Sequence, residues 1–410
     1  VVTAVMRMPQ ITYETRVVLV PLTIHENKRN IIVEDVYARE YYEMSSASVD
    51  AIRALQAGMP LHEIEVQLKE RYPDEEIDMI EFVSALLELD LIAEVDGRTL
   101  REISDEEAVP AHNPDSWPNR LGRFLFRTPF ILVYFAAIGC WITLFITRPD
   151  LLPELHTMHM VESMTVNVII WAGVSLGLLA MHEFSHFLAA RSFDVSASYG
   201  FGHRLYFLVL ETDISEVWKL PPRKRIIPYI AGMLNDSVML SLTLIIRMIY
   251  PEMNDLLYEI LELASLYLCV MLVFQTFVFM KTDLYYVLET ALGALNLKER
   301  THEWMKGLFG RRRGKEVTAV KVYTFFYLAG LAFSVRLFFN VMIPQFLHFL
   351  EHGRDYLSYP VTDYYFWDGV LFLLLNGATL VLLFNSWMRK LLTIYYERTE
   401  RMQKQTAQSS

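Results

Sequence analysis

Beyond residue 128 the chain is dominated by six apolar stretches, each long enough to cross a bilayer as a helix: roughly 129–147, 164–190, 227–250, 256–281, 317–347 and 366–396. Ahead of them the pattern has a different period. Arg16 to Leu22, Asn30 to Val36 and Arg39 to Met44 alternate or are rich in β-formers and predict short strands. Ser45-Ser46 caps a helix over Ala47 to Gln56 that Gly58 closes. Leu61 to Tyr72 and Asp78 to Leu89 carry apolar residues at helical spacing. Leu91 to Val95, followed by the turn Asp96-Gly97, reads as a wing strand. The expected fold is an α-helical polytopic membrane protein of about six transmembrane helices, preceded by a soluble winged-helix-type α+β domain. The boundaries are 1–103 for that domain, 104–128 for a linker marked by Pro110, Pro114 and Pro118, 129–396 for the membrane domain and 397–410 for a tail.

Charge sharpens the division. Residues 1–110 carry 23 acidic against 10 basic side chains, whereas the remaining 300 carry 25 against 27. An acidic winged helix repels phosphate, so no nucleic-acid partner is expected. The first apolar span follows a hundred mostly polar residues, so no secretory signal is expected at the start. Basic residues cluster before the first span, between the second and third, between the fourth and fifth, and after the sixth, where Arg120, Arg223, Arg311 and Arg389 are examples. The alternate loops hold acids such as Asp150, Glu252 and Asp363. This alternation predicts an integral protein with both termini in the cytoplasm, probed by the positive-inside rule. Cys140 and Cys269 both fall in apolar runs without metal-binding spacing and read as core residues.

The second span contains Met181-His182-Glu183-Phe184-Ser185-His186-Phe187. In a helix His182 and His186 lie one turn apart on one face and can share a zinc ion, with Glu183 as general base toward water whose pKa the ion lowers to roughly 7. Ionisable groups at membrane depth are costly, which favours a functional over a structural role. A catalytic zinc takes a third protein ligand, and two carboxylates compete for that place. Asp236 lies about 12 Å into the third span, a depth that slightly favours it. Asp283 lies at the end of the fourth. Ser198 to Ile214 is too short and too broken to span, and predicts a β-hairpin re-entering beside the site, its free edge able to hold an extended peptide. A second spelling, His348-Phe349-Leu350-Glu351-His352, matches the inverse zinc motif, but lies at the far end of the fifth span without a third ligand in reach.

Two resemblances follow from these residues. Ile32 to Tyr72, with Tyr41-Tyr42-Glu43-Met44-Ser45, Gly58, Leu61-x-x-Ile64 and Tyr72-Pro73, resembles the PqqD-like peptide-recognition domain of ribosomal peptide maturation. That implies a leader peptide adding a strand to an exposed sheet edge. Residues 164–290, with H-E-x-x-H, hairpin, Ala231-Gly232-x-x-Asn235 and the later aspartate, resemble the site-2-protease family of intramembrane zinc metalloproteases, in its peptide-maturation branch. The resemblance implies Asp283 as third ligand and Asn235, beside Asp236, near the site. The chain departs from that family's N-x-x-P-x-x-x-x-D-G, with Gln275, Val278 and Leu284 in place of Asn, Pro and Gly.

The expected function is therefore an intramembrane zinc metalloendopeptidase maturing a ribosomally made precursor peptide, in the cytoplasmic membrane of a bacterium, with Zn2+ as cofactor and the lipid bilayer as its medium. A site-2-type protease cutting a membrane-tethered regulator, and a non-enzymatic peptide exporter or immunity protein, are the alternatives. No feature of the sequence sets an oligomeric state.

Overall fold

The computed structural model describes residues 11–26, 31–38, 40–101, 115–154, 160–204, 207–251, 255–294, 296–309 and 318–408. The predicted strand starts at Asn30 and Arg39, much of the linker and the basic run Arg311-Arg312-Arg313 lie outside the described residues. The chain forms two compact units. The first comprises residues 1–116 with 194–196 and 215–222, and the second comprises 117–193, 197–214 and 223–410.

In the first unit, strands β1 (Val17–Leu19), β2 (Leu22–Glu26), β3 (Ile31–Asp35) and β4 (Glu40–Met44) precede helices α1 (Ser46–Gln56), α2 (Leu61–Arg71) and α3 (Met79–Glu88). Strands β5 (Ile92–Val95) and β6 (Arg98–Thr99) follow. One antiparallel sheet has the order β2-β3-β4 and another the order β1-β5-β6. The single strand expected over Arg16 to Leu22 is thus two strands in different sheets. Pro21, which has no N–H to give to a ladder, stands at the break. The predicted wing is a hairpin whose tip residues, Asp96 and Gly97, both have positive φ, 48° and 82°, as a tight two-residue turn requires.

The helix ends obey local rules. Ser45 Oγ accepts from Ser48 N at 3.1 Å, and Asp78 Oδ1 accepts from Ile80 N and Glu81 N. After α1, Gly58 at φ 75° lets Gly58 N reach Leu55 O and Met59 N reach Ala54 O, a Schellman closure. Ile64, Leu68, Met79, Val83, Leu86 and Ile92 are buried together between helices and sheet. Glu65 is buried beside this core, and the Lys69 ammonium and the Met79 N–H hold its carboxyl below the usual range.

The second unit is helical except for one hairpin. It contains α4 (Trp117–Leu125), α5 (Thr128–Thr147), α6 (Met164–Arg191), strands β7 (Ser198–Arg204) and β8 (Phe207–Asp213), α7 (Pro222–Ile249) and α8 (Asp255–Gln275). It continues with α9 (Asp283–Leu292), α10 (Leu297–Phe309), α11 (Thr318–Leu337), α12 (Ile343–Tyr356) and α13 (Tyr364–Gln408). Among the described residues six helices are long and apolar enough to cross a membrane: Pro129–Thr147, Met164–Arg191, Pro222–Ile249, Asp255–Gln275, Thr318–Tyr356 and Tyr364–Leu382. Their outward faces carry large apolar side chains, such as Leu132, Phe135, Leu176 and Phe325, which hydrocarbon accommodates and water does not.

Several boundaries differ from those expected. The second half of the predicted linker is helix α4, packed so closely that a Cβ on Gly122 would lie 2.2 Å from Leu188 O of α6. The fourth span ends at Gln275 rather than near residue 281, because the chain turns there. Lys281 adopts φ 57°, and Gln275 holds the turn by accepting Thr282 Oγ1 on its carbonyl and Asp283 N on its side-chain oxygen. Asp283 therefore opens a new helix instead of closing the fourth span. The fifth apolar run extends to Tyr356 through a π-helical turn at Phe338–Met342, just where Pro344 would clash with the carbonyl four residues back. The expected tail, 397–410, continues α13 as far as Gln408.

Asp368 on α13 caps the start of α6. Its carboxylate accepts from Ser163 Oγ at 2.8 Å, Met164 N at 2.7 Å and Thr165 N at 3.2 Å. Replacing it by alanine strands buried amides, so Asp368→Ala is expected to cost about 1–3 kcal/mol. The check is a lower thermal midpoint of the full chain in detergent, with a midpoint equal to the parent's counting against this capping role.

Candidate metal centre

Helix α6 carries His182, Glu183 and His186, and all three side chains are buried, with 2%, 9% and 4% exposure. The i, i+4 spacing sets the two imidazoles on one face with ring centroids 4.9 Å apart. The carboxylate that joins them is that of Asp283, the first residue of α9. Its Oδ2 lies 3.1 Å from His182 Nε2 and 3.2 Å from His186 Nε2, and the two Nε2 atoms are 3.1 Å apart. Among the described residues this trio is the group able to hold a metal ion.

The outer hydrogen bonds reveal what faces the centre of that triangle. His186 Nδ1 lies 2.7 Å from Pro228 O, an atom that only accepts, so Nδ1 carries a proton, and in the neutral ring Nε2 presents a lone pair. His182 Nδ1 lies 2.7 Å from Asp236 Oδ2, which assigns its proton in the same way. With both rings neutral, three acceptor atoms point at one another, a repulsion that a metal ion or a bound proton among them relieves. Four-coordinate zinc with bonds of about 2.0–2.1 Å separates its ligand atoms by roughly 3.3 Å, close to the spacing seen here. The donor set and its geometry fit zinc.

Asp236, the rival for the third ligand position, sits behind His182 instead. Its second oxygen, Oδ1, is buried without a hydrogen-bond partner. Carboxylate support of a ligating imidazole orients the ring and raises its basicity, and its loss typically costs 10- to 100-fold in affinity. Asp236→Asn keeps an acceptor but removes the charge, so cobalt affinity is expected to fall about tenfold. Spectroscopic titration with Co2+ measures this, and parent-like affinity would remove Asp236 from the supporting role. Asn235, its neighbour on α7, has a buried Nδ2 with no hydrogen-bond partner.

Two supporting residues show their role only through packing: Thr212, which no motif marks, and Gly232, which stands in the Ala231-Gly232-x-x-Asn235 motif without a role of its own there. Thr212 on β8 donates its amide to Glu183 Oε2 at 2.7 Å and its hydroxyl to Glu183 O at 2.9 Å, which fixes the glutamate against the hairpin. Gly232 on α7 faces the imidazoles so closely that a Cβ there would lie 2.4 Å from His182 Nε2 and 2.6 Å from His186 Nε2. The hairpin itself pairs Ser198 with Asp213 through Arg204 with Phe207. The second spelled motif forms no such arrangement. His348 and His352 meet edge to face along α12, ring centroids 4.2 Å apart, and His352 Nδ1 lies 3.2 Å from the His348 carbonyl.

No family model, no curated protein and no solved structure matches this chain.

Proposed function

We propose that this protein is an intramembrane zinc metalloendopeptidase that matures a ribosomally made precursor peptide, with the leader held by the N-terminal winged-helix-type, PqqD-like domain. The observation that carries the reading is the close triangle of His182 Nε2, His186 Nε2 and Asp283 Oδ2, with Glu183 next to His182 on the same helix. Zinc bound there would act as a Lewis acid, lowering the pKa of water to about 7 and polarising a peptide carbonyl. Glu183, held by Thr212, takes a proton from the attacking water and delivers it to the leaving amine. The unpaired Asn235 Nδ2 donates to the oxyanion that develops on the scissile carbonyl. An extended substrate pairs with the open edge of the β7–β8 hairpin, since a two-stranded ladder leaves backbone groups unpaired along its margin.

Under the positive-inside rule, the basic residues of alternate loops favour a cytoplasmic side for both termini, and the reading takes the membrane to be the cytoplasmic membrane of a bacterium. The metal-site end of α6 and the N-terminal domain then belong to the same compartment, as leader-guided cleavage requires.

The test is metal content and metal dependence of the purified full chain. About one zinc per molecule is expected, with Co2+ substitution giving a four-coordinate visible spectrum. Chelation should abolish cleavage of leader-bearing precursor peptides, and added zinc should restore it. A chain that retains no tightly held divalent ion would favour the non-enzymatic alternative.

A further inference from the structure

On α6, Glu183 and Phe187 stand at i and i+4, one above the other on a single face. Across from them is the open end of the hairpin, where β7 and β8 pair Tyr199 directly with Thr212. The Thr212 N–H is given to Glu183 Oε2 at 2.7 Å, so it points away from β7. Tyr199 and Thr212 are therefore opposed without a ladder bond, the kind of pair whose Cα atoms lie about 4.5 Å apart and whose side chains lie closest. Both side chains reach the same helix face. The Thr212 hydroxyl donates to Glu183 O at 2.9 Å, and the Tyr199 ring stacks on Phe187 with centroids 5.1 Å apart and planes inclined by 23°. Phe187 is steadied in turn by Phe184, stacked at 6.1 Å, and by the Arg191 guanidinium, 5.1 Å from its ring centroid. Helix α6, both strands and all of these side chains belong to the second unit.

We propose that Tyr199 and Phe187 are positioning residues for Glu183: their stack, set beside the Thr212 hydrogen bonds, clamps the hairpin to α6 at two points and so fixes the amide that orients the general base. The physical basis is geometric. Hydrogen bonds to one residue leave the hairpin able to pivot about it. A second contact one helical turn away, about 5–6 Å between Cβ atoms, removes that rotation. The two elements match in width, because directly opposed residues of a hairpin are separated by about 4.5–5.5 Å at Cβ. With the stack lost, the end of β8 frays and Glu183 Oε2 no longer has a fixed donor. The substrate strand is read as pairing with the same hairpin, so the clamp also keeps that strand and the base in one frame. Only the catalytic consequence rests on the protease reading; the clamp itself is a matter of contacts within one unit.

The experiment uses the full chain in lipid nanodiscs, with Tyr199→Ala, Tyr199→Phe, Phe187→Leu and the double variant Tyr199→Ala/Phe187→Leu. Tyr199 is 49% exposed, so its truncation leaves the buried core intact. Amide hydrogen exchange at Thr212 is the primary readout. Tyr199→Ala and Phe187→Leu should each speed it roughly three- to tenfold, the range an aromatic stack supplies. The double variant should add nothing further, and Tyr199→Phe, which keeps the ring, should resemble the parent. Zinc content should stay at the parent level in all four, because no changed residue is a candidate ligand. On the protease reading, kcat at saturating precursor falls by a similar factor in the exchange-sensitive variants, and Tyr199→Phe restores it. Faster Thr212 exchange without any cleavage by the parent would retain the clamp and reject the protease. Faster exchange in Tyr199→Ala with the parent's kcat, or with KM alone altered, would overturn the positioning role. Parent-like exchange in Tyr199→Ala, additive effects in the double variant, or zinc lost alongside would overturn the clamp whatever the activity.

Discussion

On the protease reading, Glu183→Gln is expected to keep about one zinc per chain and to lose roughly 100- to 10,000-fold in the rate of peptide cleavage. The separation of the two readouts is the point of the experiment. Glu183 lies outside the trio of candidate ligands, so its amide analogue leaves His182, His186 and Asp283 able to hold the ion. Glutamine still accepts from Thr212 N through its carbonyl oxygen, which preserves the local hydrogen bond. What it cannot do is take a proton at neutral pH. Loss of zinc together with activity would instead mark Glu183 as part of the ion's own shell. Full turnover by Glu183→Gln on a leader-bearing precursor would rule out the mechanism.

The second large effect is expected from a residue with no chemistry at all. Gly232→Ala should weaken Co2+ and Zn2+ binding by more than about 100-fold, beyond what loss of a supporting hydrogen bond usually costs. The new methyl would meet His182 Cε1 and Nε2 at 2.4 Å and His186 Nε2 at 2.6 Å, about 1 Å inside ordinary contact. Both rings are buried and tied on their far sides, to Asp236 and to Pro228 O, so neither can retreat without breaking a hydrogen bond. Gly177→Ala is the matched control on α6, because nothing lies within 4 Å of the added carbon. Metal titration of the two variants, with thermal midpoints measured alongside, separates a crowded site from a destabilised helix. Unchanged affinity in Gly232→Ala would mean that α7 does not pack on the imidazoles as described.

Much of this was legible from residue order because it is governed by nearest neighbours along the chain. Apolar length alone marks the six membrane-crossing candidates. Capping chemistry at Ser45 and Asp78, and the positive φ required at Gly58 and Gly97, mark helix ends and the hairpin within a residue or two. Helical period alone brings His182 and His186 to one face. Two of the boundaries that moved share one cause. Pro21 and the turn after Gln275 each interrupt an apolar run whose hydrophobicity continues unbroken, so pattern reads through a break that hydrogen bonding enforces.

The site divides along the same line. Chain order supplied the candidate donors His182, His186, Asp236 and Asp283 and the candidate base Glu183, and set His348-x-x-Glu351-His352 aside by its place at the far end of the fifth span. Between the carboxylates, depth slightly favoured Asp236 and the family resemblance implied Asp283. Distances across a sequence separation of about a hundred residues bring Asp283 to both imidazoles. Packing of α7 on α6 put Asp236 behind an imidazole, while the turn after α8 brought Asp283 in front of two. Thr212, and the reason for a glycine at 232, became visible only there: an amide and a missing side chain show no role until something is packed against them.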